Sequence, residues 1–294
     1  RVQRGYRGYR GYRGYRGYNG AGPTGLFLFV AVGGDTAAGT RTRTGTANRA
    51  DANPLRETWR SRRLTNSYDR TKIQSMKTNK PSQTKEGAAA DRTRKAQILR
   101  VAIETIASLG YAQASVGQIA ARAGISKGVI TYHFASKDEI MEQIVKEVYE
   151  AAVRFMRPII ERETAPAATL RAYIESNLAF IAANRDHIVA LTEIVGNARE
   201  PDGRPRFADT SDDSILQPVV EILRWGEETG EFKAFSGFSA RVAAITLRSA
   251  IDGVAYRLAA DPGLDVAGFA RELAELFLAA VCRPARETES KERG

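Results

Sequence analysis

Between Ser126 and Lys137 the chain concentrates side chains suited to holding a polyanion. In "ISKGVITYHFASK" (residues 125–137), Lys127 and Lys137 supply charge, Ser126, Thr131 and Tyr132 supply hydroxyls, and His133 supplies an imidazole. Gly128 leaves room for a close approach to a phosphate, and amides at a helix start add donors for one. A second stretch offers a different chemistry. Residues 4–18 repeat Arg-Gly-Tyr five times with no acid among them. Arginine with interleaved aromatics holds single-stranded nucleic acid by phosphate attraction and base stacking.

The first cluster comes with the elements that would position it. Ser115 and Gln118 form a capping box, and Val116, Ile119, Ala120 and Ala123 recur at helical spacing behind it. Gly124 breaks that short helix, Ile125 plugs the turn, and Ser126 can cap a second helix whose inward face carries Ile130 and Phe134. Two short helices joined by a tight glycine-containing turn are a helix-turn-helix, which presents its second helix to the DNA major groove. The outward face then offers Lys127, Thr131, Tyr132 and His133. Ahead of it, Leu99, Ala102, Ile103, Ile106 and Leu109 mark a longer helix that ends at Gly110, where a left-handed cap is expected. Ser136 and Glu139 make a further capping box. Lys137 lies in that helix's first turn, against the dipole preference, and a phosphate bound there would explain it.

The order "GYAQASVGQIAARAGISKGVITYHFASKDEI" (Gly110–Ile140) resembles the helix-turn-helix signature of the TetR family of transcriptional repressors. Ile119-Ala120, Ala123-Gly124, Ser126, Gly128, His133-Phe134, Lys137 and Asp138 match its pattern as they stand. Thr131 departs from it, since a tyrosine is usual there. The resemblance implies that Ser126, Lys127, Gly128, Thr131, Tyr132 and His133 face a duplex operator and that Lys137 holds a phosphate. It further implies that Ser115 caps its helix and touches the DNA backbone. The basic residues Lys77, Lys80, Lys85, Arg92, Arg94 and Lys95 would add phosphate contacts.

The rest of the chain reads as all-α. Helices are expected over about 138–157, ending near Pro158, then over about 166–184, 185–198, up to 230, 238–260 and 265–282. The wording "AIDGVAYRLAADPGLDV" resembles the C-terminal regulatory domain of the BetI-like branch. By that resemblance the last two helices pair two copies into a homodimer, and a small-molecule effector enters among the middle helices. Phe155, Asn177, Phe180, His187, Glu193 and Trp225 are candidates for its lining, because an apolar pocket needs a few polar groups. For each of the six, a plain core or surface role is the competing expectation.

Charge divides the chain. Residues 1–75 hold 15 Lys+Arg against 4 Asp+Glu, while the whole chain carries 44 against 34, so the strongly basic character belongs to the first quarter. That quarter has no helical or strand period and is expected to be disordered. The first methionine of the chain is Met76, which suggests that residues 1–75 are upstream sequence read in frame. The expected organisation is therefore a low-complexity segment over 1–75, a polar basic arm over 76–90 and a three-helix DNA-binding domain over 91–137. An effector-binding and dimerisation domain over 138–283 and a charged tail over 284–294 follow. A single cysteine, Cys282, rules out an internal disulfide framework, and two histidines make a His-rich metal site unexpected. No cofactor is expected. No nucleophile-elbow, phosphate-loop or zinc-protease pattern is present, so an enzyme is not expected either. The apolar run Leu26–Val32 is far too short to span a membrane, and a cytoplasmic setting without membrane contact is expected. The expected function is a ligand-responsive repressor; the alternative is a nucleic-acid-binding protein working through its RGY repeat.

Overall fold

The computed structural model describes residues 53–56, 85–207, 216–235 and 237–283. The RGY repeat, Met76 and the charged tail lie outside them. Among the described residues the fold is all-α, with isolated bridges at Arg199–Pro205 and Phe232–Cys282 as its only extended pairings. The helices are α1 (Lys85–Leu109), α2 (Val116–Ala123), α3 (Lys127–His133) and α4 (Lys137–Ile160). After these come α5 (Pro166–Ala183), α6 (Arg185–Asn197), α7 (Gln217–Glu228), α8 (Gly237–Ala260) and α9 (Val266–Val281).

Local chemistry sets most boundaries. Ser115, Ser126, Ser136 and Asp265 each accept a hydrogen bond from the backbone N–H three residues on, giving α2, α3, α4 and α9 their starts. At α4 Glu139 reaches back one residue beyond the cap and accepts from the Ala135 N–H at 2.6 Å. Pro166 opens α5, where its missing N–H costs nothing. Two boundaries differ from expectation. α1 begins at Lys85 rather than Asp91, because the run Lys-Glu-Gly-Ala-Ala-Ala contains good helix formers and no breaker strong enough to stop it. α4 continues through Pro158 to Ile160, so the proline stands in the last turn, where it costs few helical bonds.

The head is built by α1 packing on α2, α3 and α4, with Ile98, Ala102, Ile106, Ile119, Ile130, Phe134 and Ile140 buried between them. The body forms around α5, which packs against α4, α7, α8 and α9. α1 also lies along α6, joining head to body through one continuous core. At the centre of the body Arg248 is fully buried. Its guanidinium donates to Asp252 Oδ1 at 2.7 Å, to Asn177 Oδ1 at 3.4 Å and to the Tyr173 hydroxyl at 3.5 Å. Burial works to lower the Arg248 pKa, but the Asp252 carboxylate and Tyr173 outweigh it and hold the group charged.

Four residues of the basic first quarter belong to this folded unit, against the expectation that all of it lies outside. Pro54–Arg56 make one helical turn, Leu55 is 0% exposed, and Asn53 is buried against the end of α4.

Candidate nucleic-acid interface

The turn between α2 and α3 is made by Gly124, whose φ of +63° is left-handed and whose N–H reaches the Ala120 and Ala121 carbonyls. Ile130 and Phe134 are drawn into the core, which turns the opposite side of α3 outward. Ser126, Lys127, Gly128, Thr131 and Tyr132 all lie on that exposed side, and Ser115 is exposed at the head of α2. Tyr132 is 62% exposed, unusual for a large aromatic on a folded head. Thr131 donates to the Gly128 carbonyl at 3.1 Å, which fixes its hydroxyl on the same face. The result is a short rigid ridge of hydroxyls, one ammonium and one aromatic ring.

His133 and Lys137 are placed differently from expectation. The His133 side chain is 8% exposed and turns toward α1, with Nδ1 at 2.9 Å from Asp91 Oδ1. The contact is short but not aligned as a hydrogen bond. His133 thus braces α3 on α1 and meets the Tyr132 ring edge-on at 5.0 Å. Lys137 folds back over the Tyr111 ring at 4.2 Å, and its Nζ donates to the Tyr111 carbonyl at 2.6 Å. Burial lowers its pKa, with Asp138 opposing, and burial raises that of the Tyr111 phenol. Of the basic residues ahead of the head, Arg92 and Arg94 are exposed on α1, Lys95 pairs with Asp91 at 3.9 Å, and Lys77 and Lys80 lie outside the described residues.

Sequence reasoning missed a second set of residues, which joins this head to the body. The Tyr111 N–H donates to Glu193 Oε2 on α6 at 2.9 Å, so both backbone groups of Tyr111 are held, one by α6 and one by α4. Arg206 adds contacts to Asp138 at 2.9 Å, Glu200 at 3.4 Å and Glu142 at 3.6 Å, tying the loop after α6 to the first turns of α4. Burial raises the Glu142 pKa, while Arg206 works to lower it. Within the head itself, Arg122 crosses from α2 to the Ser108 hydroxyl and the Glu104 carbonyl of α1. None of these pairs shares a local motif, so only the long-range fold reveals them.

The six residues expected to line an effector pocket do not converge. Glu193 belongs to the head–body joint just described. Phe155 is exposed on α4 with its ring 5.8 Å from that of Phe180. Asn177, Phe180 and Trp225 are buried in the packed body, and His187 is half-buried on α6. An open groove of about 670 Å³ runs elsewhere, along α5 and the ends of α4 and α9, past Glu163, Arg171, Glu175, Ser176 and Glu231. None of the six lines it. Asn177 reaches a buried charge, Arg248.

Two family descriptions match the chain: bacterial regulatory proteins of the tetR family over residues 98–144, and the C-terminal domain of BetI-type transcriptional repressors over residues 166–283. The first covers the capped helix-turn-helix and the second the body from α5 to the end of α9. The chain belongs to the TetR family. Within the family it is similar to the HTH-type transcriptional regulator BetI of Stenotrophomonas maltophilia, at 34% identity over 88 residues, which are 29% of this chain and 43% of that protein. That match therefore spans less than half of the relative's length. The match to BetI 2 of Chromohalobacter salexigens is longer, 28% identity over 197 residues, covering 63% of this chain and 86% of the relative. The fold is shared with the solved transcriptional regulator FadR of Bacillus subtilis, determined in complex with stearoyl-CoA. The TM-score is 0.53 at 22% identity, covering 63% of this chain and 97% of that one.

Proposed function

We propose that this protein is a ligand-responsive transcriptional repressor that occupies duplex operator DNA as a homodimer in the cytoplasm. A small molecule entering the body would release it. The observation that carries this reading is the exposed ridge of α3, raised on a head in which α2, α3 and α4 are each capped by a serine and the inward side of α3 is buried. On this reading Ser126, Lys127, Gly128, Thr131 and Tyr132 enter the major groove, and Ser115 meets the sugar–phosphate backbone. His133 and Lys137 set the pose of α3 and α4 from behind.

The joint at Tyr111 offers the route from ligand to DNA. Any molecule that binds one placement of α6 better than another moves Glu193, and with it the loop that leads into α2. Only a difference in its affinity for the two placements is needed. The FadR structure holds a ligand in a protein of this fold, which supports a small molecule as the effector here.

The test is footprinting of the full chain on the promoter of its own gene, followed by titration of the protected duplex. Tyr132→Ala is expected to weaken that binding by about tenfold or more, the worth of one good base contact, with helical content unchanged. Deleting residues 4–18 is expected to leave the protected sequence the same. Unchanged affinity for Tyr132→Ala, or a footprint lost with the repeat, would move DNA recognition away from α3 and toward the alternative reading.

A further inference from the structure

The last turn of α4 leaves several carbonyls without helical partners, as every helix end does. Helices commonly close this end with a left-handed glycine. α4 has none: its last residues read Arg-Pro-Ile-Ile-Glu-Arg-Glu, and Glu161 at the cap position is right-handed, with φ −68° and ψ −15°. The Glu163 N–H reaches the Ile160 carbonyl at 3.2 Å, and further closing groups come from Asn53 and Arg56. Asn53 Nδ2 donates to the Ile160 carbonyl and to the Glu163 carbonyl, each at 3.1 Å, across 107 and 110 residues of sequence. Arg56 Nε donates to the Glu161 carbonyl at 2.7 Å, placing a positive charge at the negative end of the helix dipole.

The segment is shaped for this task. Asn53 Oδ1 accepts from the Leu55 N–H at 3.0 Å and the Asn53 carbonyl accepts from the Arg56 N–H at 3.1 Å, so the asparagine folds its own turn while its amide caps the helix. Pro54 stiffens the turn, and Leu55 is driven into the core. One apolar plug, two donors and a fixed turn converge on one helix end.

We propose that Asn53–Arg56 is the C-terminal cap of α4, supplied in cis by the basic first quarter, and that the end of α4 is a docking site for that segment. Residues 53–56, upstream of Met76, then belong to the folded protein. α4 holds the head at its first turn through its own Lys137 on Tyr111, and its other end is held by side chains from outside it.

Amide hydrogen exchange and thermal melting of the full chain test it. Leu55→Asp should expel the plug and speed exchange of the amides over residues 157–163 about tenfold, which corresponds to local opening made easier by about 1.4 kcal/mol. The amides of α3 should be unaffected. Arg56→Ala removes a donor from a half-buried side chain, and Asn53→Ala removes the buried amide donor together with the acceptor of the Leu55 N–H, so each should speed the same amides several-fold. Asn53→Asp, which loses the donor and adds a negative charge at the helix end, should exceed Asn53→Ala. Melting temperatures should fall in the same order. Exchange over 157–163 unchanged within twofold in both Leu55→Asp and Asn53→Asp would overturn the proposal.

Discussion

Tyr111 is held at both of its backbone polar groups by side chains from different helices, and this makes Glu193 the residue on which the head's attachment turns. Its carboxylate accepts from the Tyr111 N–H at 2.9 Å, while Lys137 donates to the Tyr111 carbonyl at 2.6 Å. A charged acceptor makes such a bond roughly twice as strong as a neutral one. Removing it leaves a part-buried N–H without a partner, at a cost of about 1–3 kcal/mol. Glu193→Ala is therefore expected to lower operator affinity by about tenfold. Glu193→Gln, which keeps an oxygen in place, should lose clearly less, both read by anisotropy of a labelled duplex. Equal affinities for the wild type and Glu193→Ala would show that the joint does not set the pose of the head. Position 193 invites the mistake of assigning it to a ligand site, since an acid on an apolar helix looks like a polar group lining a pocket. Its partner lies 82 residues away, beyond the reach of any pattern.

Helix ends were the most legible feature of this sequence, because they are decided within a few residues. Gly124 is the clearest case. It sits at φ +63°, and an added Cβ would meet nothing within 4 Å, so any cost of substitution is purely conformational. Gly124→Ala is expected to destabilise the protein by about 1 kcal/mol, the penalty of forcing a side chain into the left-handed region. Gly124→Asn should cost less because asparagine tolerates it, and thermal melts compare the two. If alanine melts with the wild type, the turn closes in another conformation. The caps at Ser115, Ser126 and Ser136 were readable for the same local reason, and so was the outward face of α3 through Tyr132. Legibility ended where an element borrows from a distant one. His133 sits at the last position of α3, where the helical period does not decide between the groove side and α1, and Asp91 settles it. α4 reads as stopping near Pro158, yet it runs on to Ile160 and takes its cap from Asn53.

At the scale of the whole molecule, one head offers a few base contacts, and two heads spaced by a helical turn of DNA double them. The helices that could join two copies are α8 and α9, because their outward faces keep apolar side chains in water. Leu276 is 65% exposed on α9, and Val242 and Tyr256 are exposed on α8. On α8, Val242, Thr246, Ser249, Gly253 and Tyr256 follow one another at alternating spacings of four and three residues, an uncharged seam of the kind that packs helix against helix. A two-fold interface uses the same patch on both copies, so each residue counts twice. Losing the burial of one leucine costs about 1.5–3 kcal/mol, and Leu276→Glu loses it on both sides while adding two charges. The variant is expected to sediment as a monomer at concentrations where the wild type is a dimer. Its far-ultraviolet spectrum should be unchanged, since Leu276 contributes little to the fold of its own subunit. Operator affinity should fall by far more than the Tyr132→Ala loss, because half of the DNA contacts go with the partner. A Leu276→Glu chain that remains dimeric and binds its operator normally would place the subunit interface on another face of the body.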